Sequence, residues 1–565
     1  MDKVTASGRR INGYYSAVGW SIGTTFIAAL LLQLASSPFE FSKVPIFFRF
    51  IFFDDRFVLW LSVAVLGFAL LLASRVRIEI VESLLAWIDR SILGISIASF
   101  VVFGLGAILF YHRYSLSMDE FSIVYQSKVF AAGKLDGQVS SNLIDRLVAP
   151  QFIIEFFGID RARGLITAVY WPGTSLLMTP FTLLGVPWLL NPFISAITVY
   201  CLHRATREAT GSPTVASWAT LFLIASPVFA VSAASYYAMP SHMLANILYF
   251  WVLFRANTLR ESGQHHRHLV FLAGVIGGFA LVLHNPIPHT AFCAPWLVWI
   301  VLRRRDWILP IFVGYLVFAL PLGVGWFLHL KTLDAQMPQL ENSILARLPQ
   351  IFVLPSSDLL TIRLLAIFKV MAWAVPGMLV LVFGAWSRRQ TPLWLRLLKA
   401  SFATLFIAYF FISYPQGHGW GYRFIHPAWF ILPLLAAFAL NHQVGEGEEN
   451  VTRPHASRRQ FFAAAIGLSL CILLPTQIWQ VNRFITWYLG QIPNPPSDRK
   501  SILFIDPRVG YYSSDFVQND PFLRDKAWKL IARGPASDLK FASQFLHSPR
   551  VAQQGAWGEL IVEGE

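Results

Sequence analysis

Long apolar runs alternate with short polar loops along most of this chain. A helix that crosses a bilayer needs about 20 mostly apolar residues, and thirteen stretches come close to that length. The predicted spans are 17–36, 56–74, 92–111, 187–205, 212–233, 241–257, 268–284, 288–302, 308–328, 363–385, 395–413, 424–441 and 461–480. This pattern predicts an all-α polytopic membrane protein.

The loops between these spans are of two kinds, which fall on opposite sides of the membrane if all thirteen spans exist. Loops such as 303–305 and 388–399 carry clusters of Lys and Arg, which are typical of cytoplasmic loops. The opposite loops are rich in Tyr, His, Trp, Asn and Pro. We therefore predict that the functional face is extracytoplasmic and that residues 481–565 lie on the same side.

Two regions outside the spans are long enough to have structure of their own. In the outer loop 112–186, apolar residues recur at helical spacing over 120–134, which predicts a helix on the membrane surface with one apolar face. The apolar segment 171–185 is too short to cross a bilayer and is interpreted as a second interfacial or re-entrant segment. Residues 481–565 predict a small α/β domain or tail, with a strand at 501–505.

Composition supports the membrane class. The 565 residues are 55% hydrophobic and 13% charged, and the mean hydropathy is +0.54, whereas soluble domains carry about 25% charged residues. The net charge of +14 is explained by cytoplasmic loops, and its scattered distribution argues against nucleic-acid binding. The three cysteines all lie in apolar runs, so that we predict no disulfide framework; they are Cys201, Cys293 and Cys471.

Adjacent acidic residues occur at three places, and their positions distinguish them. Glu448–Glu449 lies in a predicted cytoplasmic loop, where a solvated charge run explains it. Asp54–Asp55 begins a span, where capping of a helix N-terminus explains it. Asp119–Glu120 follows a span on the outer side, where the pair could cap a helix or take part in catalysis. The residues alone leave both interpretations of this last pair open.

Three motifs in order carry a resemblance to a known family. They are the acidic pair in SMDEFSIVYQSKVFAAGKL (117–135), the segment PGTSLLMTPF (172–181) and the segment SYYAMPSH (235–242). Over about residues 92–440 the sequence resembles the integral-membrane GT-C glycosyltransferases. It is similar to the branch that holds the protein O-mannosyltransferases and the lipid A aminoarabinose transferase, together with their many bacterial relatives.

The resemblance implies an inverting glycosyltransferase that uses a polyprenyl-phosphate sugar as its donor. Carried over by motif, Asp119 is the catalytic base, with Glu120 as a helper or positioning residue. It also implies a division into an N-terminal two-span extension (1–91), a GT-C-like transmembrane catalytic domain (92–480) and the C-terminal region (481–565). The extension and the C-terminal region are departures from the family pattern.

Transfer from a lipid phosphate requires positive charge near the leaving group. Arg423 is the first candidate for the donor phosphate, because a guanidinium matches a phosphate bidentately; Lys128 is the second. A third departure from the family is that His284 and Asn285 occupy a place where relatives often carry Arg-Pro. The candidates for the substrate cavity are Tyr236, Tyr237, His242, His284, Asn285, His289, His418 and Tyr422.

Several alternatives remain open at this stage. A divalent cation is possible, although the outer acids and histidines show no metal-ligand spacing. A transporter or flippase of lipid-linked sugars and an O-antigen-ligase-type transferase are the competing functions. We expect a bacterial inner membrane with a periplasmic active site. The expected partners are a polyprenyl-phosphate-linked sugar, membrane lipid, and an acceptor that is a cell-envelope glycan such as lipopolysaccharide, a glycolipid or a protein.

Overall fold

The computed structural model describes residues 2–36, 45–333, 351–388, 390–441, 453–509 and 513–564. Most of these residues are helical, which confirms the predicted all-α class. The pair Glu448–Glu449 lies outside the described residues.

The α-helices are Asp2–Ser36, Ile46–Arg49, Arg56–Ala73, Ile78–Arg90, Ile92–Leu109, Met118–Ala131, Ile144–Leu147, Gly173–Leu183, Leu190–Thr210, Pro213–Ile224, Pro227–Ala233, Met239–Glu261, Arg267–Leu281, Ile287–Arg303, Ile308–Phe318, Gly325–Leu333, Ser357–Ala372, Met378–Trp386, Leu393–Phe410, Ile431–Asn441, Arg453–Leu468, Leu474–Leu489 and Pro535–Ala542. Segments of π-helix are Phe50–Asp55, Ala319–Val324 and Ser469–Leu473. Segments of 3₁₀-helix are Ser141–Leu143, Pro150–Phe152, Pro187–Leu189, Arg305–Trp307, Arg423–Ala428 and Ser513–Phe516.

Six helical segments of the described chain are long and apolar enough to cross a bilayer. They are Ala17–Ser36, Ile46–Ala73, Ile92–Leu109, Arg305–Leu333, Leu393–Phe410 and Ser457–Leu489. Each coincides with a predicted span, so the protein is a multi-pass membrane protein. Three shorter apolar helices, Arg267–Leu281, Ile287–Arg303 and Ile431–Asn441, match further predicted spans in position. The total of thirteen spans stays a prediction.

One predicted span, 212–233, is a bent pair of helices. Pro213–Ile224 and Pro227–Ala233 meet at an angle of 66°. The break falls at Pro227, which has no backbone N–H to donate to the preceding turn. The chain therefore turns within an apolar run, where hydropathy by itself indicates a straight helix.

The helix Met118–Ala131, here called the acidic helix, is buried on all sides over most of its length. Ile123 and Val124 pack against the transmembrane bundle, whereas the rings of Phe121 and Tyr125 contact Phe157 of the outer loop. The sequence predicts a surface helix with a single apolar face. The structure differs because the folded outer loop and the C-terminal region share one apolar cluster with this helix, on the side that would otherwise face water.

The C-terminal region contains a four-stranded sheet. Its strands are β4 (Ser501–Ile505), β5 (Ala527–Ile531), β6 (Arg550–Gly555) and β7 (Gly558–Val562), in the order β5-β4-β7-β6. The predicted strand at 501–505 is confirmed. A smaller antiparallel sheet in the outer loop has the order β1-β3-β2 and consists of β1 (Gly137–Gln138), β2 (Phe157–Asp160) and β3 (Leu165–Ala168).

A buried ion pair joins the C-terminal region to the outer loop. The Arg146 guanidinium lies 2.6 Å from the carboxylate of Asp538, and both side chains are almost fully buried. Arg146 also donates a hydrogen bond of 3.1 Å to the carbonyl oxygen of Ile531. Because an unpaired charge is costly to bury, this contact fixes the region against the outer loop.

Asp55 does not cap a helix through its side chain, contrary to the prediction from its position. Its carboxylate accepts hydrogen bonds of 2.7 Å from Lys369 Nζ and from Trp373 Nε1. The neighbouring Asp54 pairs with Arg483 at 2.9 Å. The acidic pair therefore ties the second span to two later parts of the chain, which sequence position alone does not reveal.

We expect Asp55→Asn to lower the melting temperature of the full-length protein in detergent. Breaking a buried ion pair leaves one uncompensated charge and costs about 3–5 kcal/mol. The matched control is Arg77→Gln, whose partner Glu79 is largely exposed, so that the exposed pair contributes about 0–1 kcal/mol. Equal melting temperatures for the two variants would contradict this assignment.

Candidate active site

A cavity of about 700 Å³ lies where the acidic helix meets residues 411–423, here called the arginine loop. Its lining residues come from distant parts of the chain. They are Ser117, Met118, Asp119, Gln151, Phe152, Glu155, Phe156, Tyr170, Met239, His284, Asn285, Tyr409, Tyr414, Pro415, Gln416, Gly417, His418, Arg423, Phe424, Pro507, Ser513, Ser514 and Asp515. Asp119, His284, Asn285, His418 and Arg423 are the predicted site residues that the structure brings together here.

Asp119 lies in the first turn of the acidic helix and presents its carboxylate to the cavity, with 26% of the side chain exposed. One carboxylate oxygen accepts a hydrogen bond from the Tyr170 hydroxyl. The other accepts a hydrogen bond of 3.1 Å from Arg423 Nη1. Burial favours the neutral carboxyl, but the charge of Arg423 and the hydrogen bonds from Tyr170 and Arg423 together outweigh it and hold the pKa of Asp119 below its usual value. Asp119 is therefore ionised at neutral pH and can accept a proton.

Arg423 is held in place by its own loop. The backbone N–H of Arg423 donates a hydrogen bond of 3.0 Å to the side-chain oxygen of Gln416. Arg423 Nη2 donates a second one, of 2.6 Å, to the backbone carbonyl oxygen of Gln416. The guanidinium carbon lies 4.4 Å from the ring centre of Tyr237. Gly419 has a φ of +124°, and a Cβ there would come within 2.5 Å of the arginine side chain. Glycine at this position is therefore needed for the approach of Arg423.

Glu120 points away from the cavity and is fully buried. Its carboxylate accepts hydrogen bonds from the Tyr111 hydroxyl (2.8 Å), from the Leu116 backbone N–H (2.7 Å) and from the Tyr236 backbone N–H (2.9 Å). Burial raises the pKa of Glu120 to about 7, although these donors act in the opposite direction. The acidic pair is thus divided, with Asp119 in the cavity and Glu120 anchoring the start of the acidic helix.

The two histidines that line the cavity are neutral. Burial lowers the pKa of His284 to about 4 and that of His418 to about 3. The His284 ring lies against Tyr170, with ring centres 3.8 Å apart. His418 Nδ1 lies 3.0 Å from the hydroxyl of Tyr237. Arg423 therefore carries the only positive charge among the described residues that line the cavity.

The other predicted site residues do not line this cavity in the described part of the chain. They are Lys128, Tyr236, Tyr237, His242, His289 and Tyr422. His289 lies within a helix, 2.8 Å from the amide oxygen of Asn246 and 2.9 Å from the hydroxyl of Tyr315, as a hydrogen-bonded core residue. Lys128 lies in the last turn of the acidic helix, more than two turns beyond Asp119. His242 and Tyr422 are buried, whereas Tyr237 reaches the site through its contacts with Arg423 and His418.

Sequence reasoning missed most polar residues of the cavity wall, and four of them bear on the chemistry. Tyr170 and Gln416 contact the charged pair, and Glu155 and Asp515 place further carboxylates on the wall. Gln416 lies in the same polar loop as Arg423 and could have been chosen from that position. Asp515 lies in the C-terminal region, where no motif indicates a role. No group of three or more His, Cys, Asp or Glu residues in the described chain could hold a metal ion.

Comparisons with known proteins bear on the fold. No protein-family profile matches this sequence, and no curated protein matches it. A solved structure of ArnT from Cupriavidus metallidurans bound to undecaprenyl phosphate is similar, with a TM-score of 0.51 and 13% identity over 83% of this chain and 98% of that one. The apo structure of the same protein gives a TM-score of 0.49 and 12% identity, over 85% and 100% of the two chains.

The chain has a GT-C-like fold. The family resemblance inferred from the three motifs is thereby confirmed for the architecture. At such low identity the likeness speaks for the fold alone, so the function of this GT-C-like protein rests on its own residues.

We expect Asp119 and Glu120 to respond differently to loss of charge. Glu120→Gln would place an amide NH₂ among three hydrogen-bond donors, and a buried mismatch of this kind costs about 1–3 kcal/mol. Its membrane abundance and melting temperature should fall. Asp119→Asn should lower abundance less, because its amide oxygen can still accept the hydrogen bond from Arg423 and because the site is partly exposed. The prediction fails if Asp119→Asn is the less abundant of the two in quantitative immunoblots of membranes.

Proposed function

We propose that this protein is an inverting glycosyltransferase that moves a sugar from a polyprenyl-phosphate donor to an acceptor hydroxyl on the extracytoplasmic face of the membrane. The observation that carries the proposal is the contact between Asp119 and Arg423 inside one cavity. An ionised carboxylate and a buried guanidinium at the same place supply the base and the anion-binding group that such a transfer requires.

The proposed transfer is a single displacement at the anomeric carbon of the donor sugar. The acceptor oxygen attacks the anomeric carbon of the donor sugar while its proton passes to a carboxylate oxygen of Asp119. The bond between the anomeric carbon and the phosphate oxygen breaks, and its electron pair leaves with the polyprenyl phosphate. Attack from the face opposite the leaving group inverts the anomeric centre. The proton held by Asp119 then passes to the released phosphate or to water.

Arg423 is suited to stabilise the phosphate as its charge grows. Its Nη1 and Nη2 atoms are engaged by Asp119 and by the carbonyl oxygen of Gln416. Each of these two nitrogens carries a second N–H group. A phosphate oxygen bound by those N–H groups would leave the contact with Asp119 in place, which keeps the base ionised next to the donor.

The location follows from the same proposal. The acidic helix and the arginine loop belong to the loops opposite the Lys- and Arg-rich ones, so we propose that the cavity opens on the extracytoplasmic side of a bacterial inner membrane. We keep the division at residues 1–91, 92–480 and 481–565 as part of this proposal. The C-terminal region then belongs to the catalytic unit, because Ser513, Ser514 and Asp515 line its cavity.

Asp119→Asn should abolish sugar transfer while leaving the protein folded. Loss of a general base lowers the rate by about 10²–10⁴-fold. The measurement is release of undecaprenyl phosphate by the purified full-length protein from a panel of undecaprenyl-phosphate-linked hexoses and pentoses, followed by mass spectrometry, with oligosaccharide, glycolipid and peptide acceptors supplied to receive the sugar. The matched control is Asp145→Asn, which removes a half-exposed carboxylate of the same outer loop. Full activity of Asp119→Asn would refute the proposal.

Arg423→Gln should change the pH dependence as well as the affinity for the donor. Arg423 lowers the pKa of Asp119. In the variant the guanidinium is absent, and burial then raises the pKa of Asp119. The fraction of ionised base would then fall as the pH drops through the mildly acidic range, and the acidic limb of the rate profile would move to higher pH. The KM for the donor should also increase. An unshifted acidic limb would show that Arg423 does not control the charge of Asp119.

A further inference from the structure

The side of the cavity that faces Asp119 is completed by the C-terminal region. The turn Ser513–Phe516 lies there, with the Phe516 ring stacked on Tyr488 at 4.2 Å between ring centres. Gln518 accepts a hydrogen bond of 2.8 Å from the Ser115 hydroxyl and donates one of 2.7 Å to the Ser115 carbonyl oxygen. Since Ser115 lies four residues before Asp119, this wall is attached to the segment that carries the proposed base.

The same wall joins a second part of the outer loop. Gln151 donates a hydrogen bond of 3.0 Å to the Ser514 hydroxyl, and Phe152 and Glu155 follow it along the cavity lining. The side chain of Asp515 is 3% exposed and lines the cavity between these groups and the acidic helix. The wall therefore combines hydroxyls, an amide and carboxyls with an aromatic face, a combination that suits the hydroxyls and C–H faces of a sugar ring.

The charges on this wall discriminate between acceptors. Asp119, Glu155 and Asp515 are the acidic groups of the described lining, and the only cation there, Arg423, already pairs with Asp119. Burial and the charge of Asp119 raise the pKa of Asp515, so that this carboxyl can donate as well as accept a hydrogen bond. A phosphate or carboxylate that entered from this side would meet the carboxylates of Asp119 and Glu155, whose like charges repel it when they are close.

We propose that the acceptor is a carbohydrate with no phosphate or carboxylate beside its reacting hydroxyl, and that Asp515 of the C-terminal region binds this acceptor. The inference rests on the proposed transferase function and adds the class of acceptor and a residue that selects it. It assigns the C-terminal region a direct part in substrate recognition.

The test is transfer from the undecaprenyl-phosphate sugar that the wild-type protein consumes to a panel of trisaccharides. The panel contains a neutral glucose trimer, a glucosamine trimer, a galacturonate trimer and a trimer phosphorylated next to the acceptor hydroxyl. We expect kcat/KM for the neutral and amine-bearing trimers to exceed that for the acidic ones by about 10-fold or more. A preference for either acidic trimer would overturn the inference.

Substitutions at Asp515 test the residue itself. Asp515→Leu keeps the branched shape of the side chain, with larger methyl groups in place of the oxygens, but removes both hydrogen-bonding functions. It should lower kcat/KM for the neutral trimer by about 10–100-fold. Asp515→Asn keeps a hydrogen-bond donor and an acceptor, and should retain most of the wild-type kcat/KM for the neutral trimer. The matched control is Asp525→Asn, an exposed carboxylate of the same region that does not line the cavity. Normal acceptor use by Asp515→Leu would overturn the inference.

Two further readouts separate failure of this inference from failure of the proposed function. Binding of undecaprenyl phosphate should be the same in wild type and in Asp515→Leu, whereas consumption of the donor should fall in step with transfer to the neutral trimer. If the wild-type protein neither binds the lipid phosphate nor consumes any donor, the transferase proposal falls, and the inference falls with it. If the wild-type protein consumes donor but Asp515→Leu loses binding of the lipid phosphate as well as acceptor use, then Asp515 supports the fold and the inference is wrong.

Discussion

The contact between Asp119 and Arg423 is the interaction on which the candidate site depends. The two residues are 304 positions apart in sequence, and both charges lie in a largely buried cavity. Either charge alone would destabilise the folded protein, because burial penalises an uncompensated ion. Paired, the carboxylate stays ionised and the guanidinium stays close to where a phosphate would bind. The pair thus supplies a base and a cation in one place, and the rest of the structure holds the two elements together.

The supports on the two sides of this pair are different. On the carboxylate side, Glu120 accepts three hydrogen bonds that fix the start of the acidic helix. On the guanidinium side, the N-terminal extension packs against the arginine loop. The Phe50 ring lies 5.8 Å from His418 and 4.9 Å from Trp420 between ring centres, and Asp55 is held nearby by Lys369. The N-terminal extension therefore packs against and stabilises the loop that carries Arg423.

The sequence predicted the architecture better than it predicted the site. Hydropathy located the long helices, whereas the bend near Pro227 depends on a local backbone break that hydropathy does not register. Asp119 and Glu120 were found together, but consecutive helical residues project about 100° apart, so adjacency could not show which of them enters the cavity. Asp515 reaches the cavity only because the C-terminal region packs on the outer loop, and the residues around it form no motif.

The cavity has two chemically distinct sides, one with a guanidinium held by the arginine loop and one with carboxyl and hydroxyl groups supplied in part by the C-terminal region. This arrangement suits a reaction in which an anion leaves on one side and a neutral hydroxyl enters from the other. The most direct measurement is a cryo-EM structure of the full-length protein in nanodiscs containing undecaprenyl phosphate. We expect density for the phosphate within hydrogen-bonding distance of the Arg423 guanidinium and next to Asp119. Density for the phosphate at a separate place, with this cavity filled only by water, would contradict it.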